Sequence, residues 1–101
     1  MTAIQLARQY AELISGVFEV RYVFLFGSFA KDTANEDSDI DIAVVADDFS
    51  GDKVDDTFRL MKFRREIDCR IEPHAFLTEE FSGDRPDPFA REILATGVRI
   101  A

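Results

Sequence analysis

The apolar run Tyr22-Val23-Phe24-Leu25-Phe26 stops at Gly27-Ser28, and after a polar stretch a second run opens with Asp39-Ile40-Asp41 and continues Ile42-Ala43-Val44-Val45-Ala46. Unbroken apolarity of the first kind suits a strand covered on both faces. The second run has a parity. Strand alternation places Ile40, Ile42 and Val44 on one face and Asp39, Asp41, Ala43 and Val45 on the other. Two carboxylates then leave the same side of a sheet, close to where the first strand ends.

The remaining elements follow from local signals. Ala3 to Ser15 is predicted as a helix between a Thr2 N-cap and Gly16. A strand is expected from Val17 to Phe26, a short helix from Ser28 to Thr33, and a strand from Asp39 to Ala46. After a turn at Asp47 to Gly51, Asp55 to Arg65 reads as a helix with Phe58 and Met61 toward the core and Arg59 and Lys62 toward water. A third strand is expected from Ile67 to Phe76, stopped or bent by Pro73, followed by a loop from Leu77 to Pro86. Asp87 and Pro88 supply the N-cap and first turn of a last helix, Phe89 to Thr96, closed by Gly97. The expectation is one α/β domain over residues 1–101, a small mixed sheet flanked by helices.

Composition narrows the function classes. The hydrophobic fraction of 47% and the charged fraction of 32% are those of a folding chain. The single cysteine, Cys69, cannot pair internally, and its apolar neighbours read it as a core thiol. The start of the chain lacks the pattern of a signal peptide, and no apolar run approaches a membrane span, so a cytoplasmic location is expected. The net charge of −8 repels polyanions, which makes direct nucleic-acid binding unfavourable, and favours a basic protein partner and divalent cations. Phe24, Phe26, Phe58 and Phe89, four of the ten phenylalanines, are expected in the core.

The chemistry lies in residues 24–45. Gly27 lets a phosphate approach the backbone without a Cβ clash, the Ser28 hydroxyl and following amides can donate to phosphate oxygens, and Lys31 can add positive charge. Asp39 and Asp41 can hold hard divalent cations between protein and phosphates. A Gly-Ser after a strand is by itself an ordinary turn, and an Asp-x-Asp at a strand start an ordinary solvated edge. Their conjunction is much rarer than either. Two residues of the third strand can add a further carboxylate, Asp68 within Ile-Asp-Cys and Glu72 within Ile-Glu-Pro. Parity does not choose between them. His74 reads as a polar strand-end or loop side chain that can also donate to a phosphate, ribose or acceptor.

The segment Gly27-Ser28-Phe29-Ala30-Lys31-Asp32 followed by Ser38-Asp39-Ile40-Asp41-Ile42 resembles the polymerase-beta-type nucleotidyltransferase superfamily. Its short members, the minimal nucleotidyltransferases, carry GSxARG followed by SDIDL. Asp32 departs from this pattern, standing where the glycine is usual and adding negative charge beside the phosphates. The resemblance implies the nucleotidyltransferase fold, Mg²⁺, two ions by that family's mechanism, and a third carboxylate from Glu72 or Asp68. It favours Glu72, within Arg70-Ile71-Glu72-Pro73-His74. It also implies ATP as AMP donor and a HEPN-domain toxin as acceptor, with this chain as its antitoxin, because no further domain is seen here to bind an acceptor. Two rivals stand beside it: a catalytically degenerate antitoxin that neutralises by contact, and a transferase acting on a small molecule or nucleic acid.

Overall fold

Thr2 begins the first helix as the sequence suggests: its Oγ1 accepts from the Gln5 amide while the Gln5 side chain accepts from the Thr2 amide, a reciprocal cap. The computed structural model describes residues 2–27, 38–82 and 87–101, and the order is α1 (Ala3–Ser15), β1 (Val20–Phe26), β2 (Ile40–Ala46), α2 (Lys53–Met61), a 3-10 turn (Arg64–Glu66), β3 (Ile71–Leu77), α3 (Thr78–Phe81), α4 (Pro88–Thr96) and β4 (Val98–Arg99). The predicted helix from Ser28 to Thr33 lies outside the described residues.

The four strands form one mixed sheet in the order β3-β2-β1-β4. β1 runs antiparallel to both β2 and β4, whereas β2 and β3 are parallel. The parity read in β2 holds. Ile40, Ile42 and Val44 enter a core with Leu6, Tyr10 and Ile14 of α1 and Leu60 of α2, while Ala43 and Val45 enter a second core with Phe81 of α3 and Ala90 and Ile93 of α4. Burying a side chain such as Ile42 or Ile93 stabilises by about 1.5–3 kcal/mol, so each helix is held mainly by the stripe it lays on the sheet. In β1 the register slips between Val20 and Tyr22. The extra residue, Arg21, turns Val20 toward the first core and Tyr22 toward the second.

Several expectations are corrected. β1 starts at Val20 because residues 17–19 finish the turn out of α1, with the Val17 and Phe18 amides bonded to the Ile14 carbonyl. α2 ends at Met61, and the predicted extension to Arg65 is a separate 3-10 turn. Phe58 points to solvent instead of the core, and Phe89 is also exposed. β3 does not start at Ile67: the Ile67 and Asp68 amides bond back to the Arg64 carbonyl, which keeps the chain in a turn until Ile71. Cys69 lies in that turn and is exposed, so it is not a core thiol. β3 continues through Pro73. It can do so because β3 is an edge strand, where a missing N–H costs no ladder bond. Arg64 Nη1 and Lys53 Nζ donate to the carbonyls of Ile71 and Ala75 in this strand. The segment after Leu77 contains α3, and the chain after Gly97 adds β4, neither of which was expected.

Candidate active site

The α3 and α4 layer covers only part of its face of the sheet, and the polar side chains gather where the apolar cover stops. In register across the parallel pair, Asp41 of β2 stands beside Glu72 of β3, and Phe26 of β1 stands opposite Asp41. Three strands thus converge on the Asp41 carboxylate. Glu72 and His74, two apart on β3, share its face, and His74 Nε2 lies 3.3 Å from Asp41 Oδ1. Donor atoms of Asp41, Glu72 and His74 all lie within 4.8 Å of one another. Asp39, just before β2, lies close enough for its carboxyl to act on that of Glu72.

Gly27 closes the site from the β1 side. Its φ is +73°, a left-handed conformation that side-chain-bearing residues adopt at a cost. A Cβ there would run into Asp41 Oδ2. The glycine is therefore needed for a second reason beyond the phosphate approach read from the sequence, since the strand end turns directly against the carboxylate.

The electrostatics are those of crowded like charges. Partial burial, the neighbouring Asp41 charge and the Asp39 carboxyl push the Glu72 carboxyl above the ordinary glutamate range, with His74 opposing them. A divalent cation would relieve this repulsion, and a set of carboxylate oxygens suits a hard ion such as Mg²⁺. The donor set therefore fits a metal of that class.

Asp68 is elsewhere. It precedes β3, accepts from the Arg70 backbone amide at 2.8 Å, and pairs with the Arg70 guanidinium at 3.1 Å. That pairing holds its carboxyl below the usual aspartate range. The expectation that Asp68 and Glu72 share a strand face fails because Asp68 is not in the strand. Ser28, Lys31 and Asp32 lie outside the described residues. The Asp41–His74 contact was not anticipated, although parity alone puts His74 on the Glu72 face.

Beside the site, a largely apolar groove of about 620 Å³ runs between α2 and the start of α4, lined by Val54, Phe58, Met61, Phe76 and Phe89, with His74 at the end shared with the carboxylates. Sequence reasoning missed it because Phe58 and Phe89 read as core.

A family model described as polymerase beta nucleotidyltransferase matches residues 8–101. A crystal structure from Sulfolobus solfataricus, described as a candidate nucleotidyltransferase, superposes with a TM-score of 0.67 at 22% identity over 95% of this chain and 77% of that one. A toxin-antitoxin structure with AMP-PNP superposes with a TM-score of 0.68 at 21% identity over 93% of this chain and 72% of that one. At such identities the likeness is one of fold. No protein of curated function matches significantly.

Proposed function

The chain belongs to the polymerase beta nucleotidyltransferase family, and from that premise we propose that it transfers AMP from ATP to a hydroxyl of a partner protein, a HEPN-domain toxin, as that toxin's antitoxin. The single observation that carries the catalytic part is the convergence of Asp41 and Glu72, in register on adjacent parallel strands, with donor atoms of Asp41, Glu72 and His74 within 4.8 Å of one another. The antitoxin role is supported by the toxin-antitoxin neighbour with AMP-PNP and by the sequence motif that resembles minimal nucleotidyltransferases.

In this reading Asp39, Asp41 and Glu72 would hold Mg²⁺, which when bound neutralises phosphate charge and orients the triphosphate for in-line displacement. Ser28, with Lys31 adding charge, donates to the phosphate oxygens, and Gly27 brings the chain out of β1 without a side chain between it and Asp41. Glu72 takes the third-carboxylate role because it shares the Asp41 register, whereas Asp68 is occupied by Arg70. The acceptor oxygen attacks the α-phosphorus, the bond to the bridging oxygen of the β-phosphate breaks, pyrophosphate leaves, and the hydroxyl proton passes to a Glu72 carboxylate oxygen. His74, 3.3 Å from Asp41 Oδ1, positions that carboxylate. The expected location is the cytoplasm; among the described residues, no helix is long and apolar enough to cross a membrane.

The test is a comparison of wild type with the double variant Asp39→Asn/Asp41→Asn, which nearly preserves shape and removes two charges. Wild type should form the complex with the toxin and relieve its toxicity, and the variant should form the complex without relieving it. Full relief by the variant would mean neutralisation by contact alone.

A further inference from the structure

Three of the exposed large hydrophobics line the apolar groove, among them the two most exposed of the described residues: Val54 at 82%, Phe58 at 63% and Phe89 at 43%. Its floor is aromatic, with Phe76 and Phe89 stacked at 5.9 Å between ring centroids. Phe58 and Met61 also form the wall of a second, smaller cavity of about 360 Å³ whose other lining residues are Lys62, Arg64 and Arg65. The two cavities therefore adjoin at Phe58 and Met61. Together they form a surface channel in two parts, from His74 beside the carboxylates, over an apolar aromatic stretch, to a cluster of cations.

The charge at that end is contrary to the rest of the chain. Residues 59–66, RLMKFRRE, hold four basic residues and one acidic one in a protein of net charge −8. Two of the four serve packing, Arg59 beside Asp56 and over the Phe18 ring, and Arg64 through its bond to the Ile71 carbonyl. Lys62 and Arg65 are exposed, and Lys62 Nζ sits 5.6 Å from the centre of the Phe58 ring, so charge and aromatic surface meet at one place.

We propose that this channel is the acceptor-docking surface, and that it takes a partner-protein segment with a large apolar side chain for the Phe58–Phe76–Phe89 slot and a carboxylate for the Lys62–Arg64–Arg65 end. The proposal rests on the transferase reading for the direction of the channel, which leads an acceptor hydroxyl to His74 and Glu72. It commits to a protein segment over a nucleic acid because the cationic stretch is short, whereas a polyanion would also have to pass the Asp87 that lines the groove and the carboxylate cluster itself. The acidic field of the whole chain still draws in a basic partner from a distance, and the local patch acts only within about a Debye length, ~8 Å in physiological salt.

The experiment is an NMR titration of the isotope-labelled full chain with three synthetic peptides of equal length, and it reads binding without chemistry. One peptide carries a central Phe-Leu pair flanked by glutamates, the second the same pair flanked by lysines, and the third glutamates around Ala-Ala. The first should shift Phe58, Met61, His74 and Phe89 and bind about tenfold or more tightly than either control, a difference of about 1.4 kcal/mol. Phe58→Ser and Lys62→Glu/Arg65→Glu, both at exposed positions, should each abolish that advantage. Equal or tighter binding of the lysine peptide, no shift in the groove with any peptide, or stronger binding there by a thymidine oligonucleotide would each overturn the proposal. Repeating the titration with Asp41→Asn separates the two readings: unchanged binding in a chain that cannot transfer AMP leaves the docking surface standing, whatever becomes of the enzymatic role.

Discussion

Gly27 lies so close against Asp41 that a methyl group on its α-carbon would clash with the carboxylate oxygen Oδ2. Gly27→Ala should therefore do two things, strain the left-handed backbone and displace Asp41. Gly51→Ala is the control, because Gly51 also has a positive φ, +94°, but a Cβ there meets only Leu77 Cδ1 at 3.9 Å. Backbone strain alone is expected to cost about 1–2 kcal/mol. Chemical denaturation should show Gly51→Ala near that value and Gly27→Ala beyond it, and only Gly27→Ala should weaken Mg²⁺–ATP binding in calorimetry.

Glu72 gives a pH signature. Its folded-state pKa is raised, so the folded chain holds that proton more tightly than the unfolded chain, and stability is lost as pH rises through the carboxylate range. Glu72→Gln removes the penalty. Without metal, the variant should melt at the wild-type temperature in acid and above it at neutral pH. Mg²⁺ should stabilise wild type more than the variant and so narrow the neutral-pH gap. A variant less stable than wild type at neutral pH without metal would mean that the cluster is not repulsive.

Asp68 should behave in the opposite way. Its pKa is lowered by Arg70, so its contribution is present above the unfolded carboxylate pKa and disappears as pH falls through the folded value. Asp68→Asn is expected to cost less than about 1 kcal/mol, as a partly exposed ion pair, with little change in transfer rate. Glu72→Gln should lower the rate about 100-fold or more. Reversal of that order would make Asp68 the third carboxylate.

A structural control lies at the start of α2. Asp56 is 1% exposed and accepts from the Ser50 amide, the Ser50 hydroxyl and the Gly51 amide. Asp56→Ala strands three donors and should cost about 2–4 kcal/mol by urea unfolding. Transfer per folded molecule should be unchanged, because Asp56 is not part of the carboxylate cluster.

How much could be read from the chain alone depended on whether a residue's role was local or set by its neighbours. The caps at Thr2 and Asp87 and the parity of β2 were legible because each rests on spacing along one element. The candidate site was legible in Asp39 and Asp41 for the same reason. The position of Glu72 beside Asp41 was not, since it depends on the parallel register of β2 and β3, which no single segment encodes. Asp68 was misplaced because its apolar neighbours mimic a strand, while backbone bonds to Arg64 hold it in a turn. Phe58 and Phe89 misled in the other direction. They satisfy a core pattern, yet the helices are so placed that these rings flank an open groove.

Whether the chain is an enzyme toward its partner is read from the intact mass of the acceptor. The HEPN-domain toxin would be incubated with ATP, Mg²⁺ and a substoichiometric amount of this chain, and weighed by mass spectrometry. Nearly all of the toxin should gain one or more AMP units, with pyrophosphate released in equal number, and Asp39→Asn/Asp41→Asn should leave its mass unchanged. A toxin of unaltered mass that is inhibited only up to an equal amount of this chain would contradict the enzymatic role.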